Sequence, residues 1–232
     1  MRYLVTGGTG FIGSHLVDRL LTNDHEVLVL DNFFAGKEEN LVQHKNNSSL
    51  KIFKQSVTED ITDVFDQGKI DAVFHLAALP RLQFSIDHPI EAHNVNINGT
   101  LNLLQACRNF GIKRFILSSS SSVYGQHDKT PLVETLPPHI IVPYALQKLT
   151  SEYYCQIYYQ LYGIETIILR YFSVYGPRQN PRGPYGQAVP KFFDNVIHHQ
   201  PPSITGDGTQ TRSPKVSLEE GLKTTYNYFL QK

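Results

Sequence analysis

Short β-branched runs alternate with longer stretches of helical period along most of this chain, and that alternation constrains the fold more than any other feature. RYLVT precedes a helix expected over residues 11–21, and EVLVLD and KIFKQ follow. DAVFHLA precedes a helix over 96–110, RFILSS precedes a helix over 144–162, and ETIILRY closes the series. The strands are apolar enough to be buried on both faces, which points to parallel pairing through helical crossovers. The expected fold class is therefore α/β, a doubly wound parallel sheet. Beyond Tyr175 the texture changes: residues 176–190 are dense in Gly and Pro, and a short helix is expected near 191–199. The chain divides accordingly into a large domain, 1–175, and a smaller part, 176–232, that ends in a helix.

The function classes that bulk charge would favour are not indicated. Lys plus Arg number 21 and Asp plus Glu number 21, so no global field draws the chain to nucleic acid or an anionic membrane, and any anion must be held locally. No apolar run has membrane-spanning length and no leader precedes MRYLVTGG, which sets the expectation of a cytoplasmic protein. Cys107 and Cys155 fall in helix-like segments with no second thiol nearby, as expected of packed, reduced thiols and not of a metal site.

The loop TGGTGFIG joins the first strand to the first helix, with Gly7, Gly10 and Gly13 spaced G-x-x-G-x-x-G. Gly7 suits a tight turn, Gly10 lets backbone approach a pyrophosphate, and Gly13 permits close packing of helix on strand. The helix start adds unpaired N–H groups and the positive end of its dipole. The second strand ends in Asp31, where a carboxylate can accept from an adenosine ribose and repel a 2′-phosphate. This favours NAD over NADP, with Lys37 the one nearby feature pointing the other way.

A second constellation lies in PYALQK. Tyr144 and Lys148 are four residues apart at a helix start and share one face. An ammonium beside the phenol, with a cationic nicotinamide, would favour the phenolate and make Tyr144 a general base. Upstream, FILSSSSSVYG ends a strand in a run of serines, at the sheet edge where doubly wound folds place ligands. A hydroxyl of that run, Ser118 to Ser122, could orient a substrate alcohol.

With these motifs in series, the chain resembles the extended short-chain dehydrogenase/reductases and, within them, the NAD-dependent sugar-nucleotide epimerases and dehydratases, above all the UDP-glucose 4-epimerases. The resemblance runs from Met1 to Arg212 through TGGTGFIG, DNFFAGKEENL, EDITD, HLAA, NVNINGTLNLL, SSSSSVYG, PYALQK, RYFSVYGPRQ and GDGTQTR. It implies a Rossmann domain that binds NAD, with Phe11 and Ile12 joining the glycine loop. Asp31 and Asn32 would lie at the adenosine ribose, Asp60 and Ile61 at the adenine, Leu76, Ala77 and Ala78 along the cofactor channel, and Asn96 close to it. It gives Tyr144 the role of base, Lys148 the nicotinamide ribose, Ser120 the reacting hydroxyl, and Tyr171 with Phe172 the nicotinamide. Ser121, Ser122, Ser173 and Arg212 would face the substrate, and no metal is implied.

The same resemblance separates reactions. Related dehydratases carry an acidic pair after the catalytic hydroxyl residue and related decarboxylases a Glu, whereas Ser121 and Ser122 stand here, and neither can act as an acid at neutral pH. The implied activity is C4 epimerisation of a nucleotide sugar, a UDP-hexose or its N-acetylated form, through a 4-keto intermediate. Two alternatives accompany it: an NAD-binding short form without turnover, and a dehydratase or reductase of the same superfamily. Two departures stand out. Ser173 occupies a position where the family usually has Asn, and Arg212 meets Ser213 directly where the family continues through most of a substrate lobe. The C-terminal lobe is thus expected to be small and incomplete. The helices over 96–110 and 144–162 resemble the family's homodimer-forming pair, and the tyrosines at 153, 154, 158, 159 and 162 are expected to form a packed face.

Overall fold

The computed structural model describes residues 1–80, 82–126, 131–180 and 188–201. The chain divides into two compact units, Met1–Phe172 and Ser173–Lys232, slightly ahead of the change in composition. In the first unit the order of elements is β1 (Arg2–Thr6), α1 (Phe11–Thr22), β2 (Glu26–Leu30), β3 (Leu50–Phe53), α2 (Thr62–Phe65), β4 (Ala72–His75), α3 (Leu82–Asp87), α4 (Pro89–His93), α5 (Gly99–Asn109), β5 (Arg114–Ser120), α6 (Pro143–Tyr162) and β6 (Glu165–Tyr171). Short 3-10 turns occupy Glu38–His44 and Ser121–Tyr124, and a π-helical turn, Asn94–Asn98, joins α4 to α5. Among the described residues of the second unit, one helix forms, α7 (Ala188–Ile197).

The six strands pair in the order β3-β2-β1-β4-β5-β6 and every pairing is parallel. The order reverses between β1 and β4, so the loops that leave their carboxyl ends diverge to opposite faces and open a crevice there. Helices cover both faces. Leu4, Val73, Phe115 and Leu117 pack with Leu103, Leu104, Cys155 and Tyr158 of α5 and α6 on one side. On the other, Val5, Val27 and Val29 meet Val17, Leu20 and Leu21 of α1. The ends of α6 follow from sequence: Pro143 opens it after extended Val142, and Gly163 closes it at φ +67° with its N–H on the Tyr159 carbonyl.

Three expectations need correction. β6 is not buried on both faces: it is an edge strand, and Ile167 and Leu169 remain 46% and 39% exposed. The helical stretch expected over 96–110 starts earlier, because Pro89 sets a helix going that runs through the π turn into α5. The tyrosines of α6 do not share one packed face. Tyr158 is buried and Tyr154 and Tyr162 are half-buried, whereas Tyr153 and Tyr159 are exposed, since helical geometry turns those two positions away from the sheet.

Candidate active site

The glycine loop lies at the point where strand order reverses, and steric limits assign its residues. Gly7 adopts φ +69°, and a Cβ on it would sit 2.8 Å from the Ala77 nitrogen. A Cβ on Gly13 would overlap the Gly7 carbonyl oxygen. Gly10, by contrast, would meet only that same oxygen, at 3.1 Å, so its outer side is open. Gly10 is also the extended N-cap of α1, without a side-chain cap and with no acidic residue in the first turn containing Phe11 and Ile12. An open glycine before an uncapped helix end suits the pyrophosphate of a dinucleotide.

Asp31, just past β2, is buried, and its carboxylate accepts from the Thr9 N–H at 3.0 Å and the Phe33 N–H at 2.8 Å. It therefore staples the glycine loop. Thr9 is held further by Asn40 Nδ2 and the Lys37 N–H, both donating to its carbonyl. Asn32 uses its side-chain oxygen to accept from the Phe34 N–H. Asp60 is exposed and accepts from the Thr62 hydroxyl and N–H, which lowers its pKa, hydroxyl first. Ile61 beside it is buried in the core.

Across the crevice, the Leu76 and Ala77 N–H groups donate to the carbonyl and hydroxyl oxygens of Thr6, which sets residues 76–78 against Gly7. Asn96, 1% exposed, accepts from the Leu79 N–H at 2.8 Å and donates to Gln147 Oε1 at 2.8 Å. Its amide fixes the end of the channel wall. The π turn exposes the Asn96 carbonyl to a second donor, and Ser151 of α6 supplies one at 2.9 Å.

The residues expected from the sequence to transfer protons lie where β5 meets α6. Tyr144 is 6% and Lys148 3% exposed. Lys148 Nζ lies 5.9 Å from the centre of the Tyr144 ring and donates to the Ser118 carbonyl at 2.9 Å. Ser120 caps the following 3-10 turn by accepting from the Ser122 N–H, and of the three serines it is Ser120 that acts on the Tyr144 phenol. Ser122 Oγ is buried without a partner, and Ser121 is half-buried. Tyr171 pairs in register with Ser120, bringing both to one strand end. Burial pushes the Tyr144 phenol up to about 12, and the Ser120 hydroxyl acts against it. Burial also brings Lys148 down to about 8, while Cys155 and Glu152 act to raise it. Burial is the larger influence on the phenol, and the Lys148 ammonium points to the Ser118 carbonyl.

Several supporting groups were not foreseen. Ser85 Oγ accepts from the Tyr144 N–H at 3.0 Å and so anchors the start of α6 to α3. Glu152, 2% exposed, accepts from Ser119 Oγ and pairs with Arg170 at 2.7 Å, and the Arg170 guanidinium covers the Tyr124 ring at 4.7 Å. Glu152 stands one turn beyond Lys148 on the face that carries Tyr144, a spacing that could have revealed it. Ser173 opens the second unit, and Arg212 lies outside the described residues.

The parallel sheet and its glycine loop define a protein of the dinucleotide-binding Rossmann class. The model of the NAD dependent epimerase/dehydratase family matches residues 3–213. The chain belongs to that family. It is 37% identical over 211 residues to a putative UDP-glucose 4-epimerase of Methanocaldococcus jannaschii, covering 90% of this chain and 67% of the relative. It is 36% identical over 229 residues to UDP-glucuronic acid decarboxylase 4 of Arabidopsis thaliana, covering 96% of this chain and 50% of that one. Among solved structures, the UDP-glucose 4-epimerase of Thermus thermophilus in complex with NAD superposes with a TM-score of 0.80 at 38% identity, over 87% of this chain and 64% of that one. The chain thus spans about two thirds of the epimerases' length and half of the decarboxylase's. Among the described residues, no helix is long and apolar enough to cross a membrane, and no cluster could hold a metal ion.

Proposed function

We propose that this chain carries the catalytic machinery of an NAD-dependent 4-epimerase acting on a UDP-hexose or its N-acetylated counterpart. The observation that carries the reading is the meeting of half-buried Ser120 with buried Tyr144 and Lys148, in the same sheet-and-helix unit as a glycine cradle whose neighbours fit NAD. Bound NAD would supply a hydride acceptor and return the same hydride. Tyr144 would take the proton from the sugar 4-hydroxyl, oriented by Ser120, and return it to the 4-oxygen when hydride comes back to the opposite face of C4 in the turned-over 4-keto sugar. Lys148 would hold the nicotinamide ribose and counter the phenolate charge. The second unit would contribute a partial substrate lobe, with Ser173 and Arg212 as diphosphate or sugar contacts.

The related decarboxylase makes that chemistry the competing reading. Ser121 and Ser122 weigh against it, because neither hydroxyl can serve as the acid or base such a reaction needs beside the catalytic serine. A homodimer through α5 and α6 is part of the proposal. Leu146, Tyr153, Ile157 and Leu161 leave an exposed apolar stripe along α6. Buried free thiols at Cys107 and Cys155 suit a cytoplasmic setting.

Heat denaturation of the purified protein followed by identification of the released nucleotide tests the cofactor half, with NAD or NADH expected. Incubation with UDP-galactose tests the substrate half, with UDP-glucose expected. Release of dinucleotide without any conversion would replace the epimerase by a binding module.

A further inference from the structure

His75 ends β4 as a fully buried side chain outside the proton-transfer group, and its bonds reach the cradle. Nδ1 lies 2.7 Å from Thr6 Oγ1, and Nε2 lies 3.0 Å from Thr100 Oγ1. Thr6 Oγ1 already accepts from the Ala77 N–H at 3.1 Å. Thr6 is fully buried, so its own proton needs an acceptor, and His75 Nδ1 is the one in reach. A neutral imidazole then carries its proton on Nε2 and donates to Thr100, whose hydroxyl donates to the Asn96 carbonyl at 2.7 Å. The bonds run in one sense from Ala77 through Thr6, His75 and Thr100 to the π turn, where the Asn96 carbonyl also accepts from Ser151. Burial, with the charge of Lys148 on α6, brings the imidazole down to about 3, which keeps it neutral.

We infer that His75 is a positioning residue: protonated on Nε2 alone, it orients the Thr6 hydroxyl that holds the Ala77 amide, and so keeps the backbone of residues 76–78 against Gly7 at the dinucleotide site. The effect on cofactor binding rests on the reading of the cradle as an NAD site. The hydrogen-bond chain itself does not.

Two kinds of measurement on the full chain decide it. Long-range proton–nitrogen spectra of the wild-type protein at pH 6 should show His75 as the Nε2–H tautomer, and hydrogen exchange should show a protected Ala77 amide. His75→Phe keeps the ring and loses both nitrogens, so Ala77 protection should fall and NAD should dissociate about tenfold faster, the usual order for one lost buried bond. KM for the nucleotide sugar should not move. His75→Gln, with one acceptor and one donor, should recover part of both effects. An Nδ1–H tautomer or an imidazolium at pH 6 would overturn the inference. So would a folded Phe variant that keeps wild-type Ala77 protection and NAD retention. If the wild-type protein releases no dinucleotide, the NAD reading fails, and the tautomer with Ala77 exchange still decides the role of His75. If the Phe variant does not fold, the wild-type spectrum and the Gln variant decide it.

Discussion

Lys148 Nζ donates to the carbonyl oxygen of Ser118 at 2.9 Å, which ties the helix carrying Tyr144 to the strand carrying Ser120. The two halves of the proton-transfer group are thereby held in one register.

On the proposal that Tyr144 is the base, Tyr144→Phe should lower turnover by about 10²–10⁴-fold or more, the range for losing a positioned acid–base group. Dinucleotide content should stay as in the wild type, since no contact within the glycine cradle involves this hydroxyl. Steady-state rates with nucleotide quantification of the same preparation check both halves.

The depressed pKa of Lys148 has a definite sign for stability. Below about pH 8 the lysine is protonated in both folded and unfolded chains, and the fold bears a buried cation. Between about 8 and the ordinary value of 10.5 only the unfolded chain holds the proton, so stability rises with pH through that window. Tyr144 acts oppositely above 10.0, where the unfolded phenol ionises first, up to about 12. Lys148→Met should remove the first slope, stabilise the protein at pH 7 by an amount on the order of a few kcal/mol, and abolish turnover. Denaturant midpoints across pH for both proteins provide the comparison.

The glycine cradle predicts graded damage. Gly13→Ala drives a methyl into the Gly7 carbonyl and should cost about 1–3 kcal/mol or more in stability, whereas Gly10→Ala meets that oxygen only at 3.1 Å and should leave the fold nearly intact. Both should lose NAD, because the methyl added at position 10 would stand where the pyrophosphate approaches and the one at position 13 displaces the loop itself. Thermal midpoints and released-nucleotide assays distinguish the two.

The Glu152–Arg170 pair predicts an asymmetry. Glu152→Gln leaves the Arg170 guanidinium short of its carboxylate and weakens the hold on Ser119, so it should destabilise by about 3–5 kcal/mol. Replacing both partners with apolar residues should cost less than the single change. A double-mutant cycle in urea measures the difference.

Much of this arrangement was legible in the sequence because it depends on local rules. Strand–loop–helix periodicity set the order of the sheet's elements, and glycines at 7, 10 and 13 carry steric limits that only glycine meets. Asp31, Tyr144 and Lys148 were readable as chemistry at characteristic spacings. What stayed hidden depends on long-range pairing. Asn96 resembles a cofactor contact by position, yet its amide is used by Leu79 and Gln147 from distant segments. The serine run leaves three hydroxyls open, and only the meeting of β5 with α6 lets Ser120 act on Tyr144. The exposure of Ile167 and Leu169 follows from the edge position of β6, which an apolar run does not reveal.

The most direct test of the central claim uses UDP-galactose carrying deuterium at C4 of the sugar, with no dinucleotide added beyond what the protein retains. The account predicts UDP-glucose with the deuterium still at C4, because the hydride removed from one face returns to the other within the same site. Absence of conversion, or product in which solvent hydrogen has replaced the label, would contradict it.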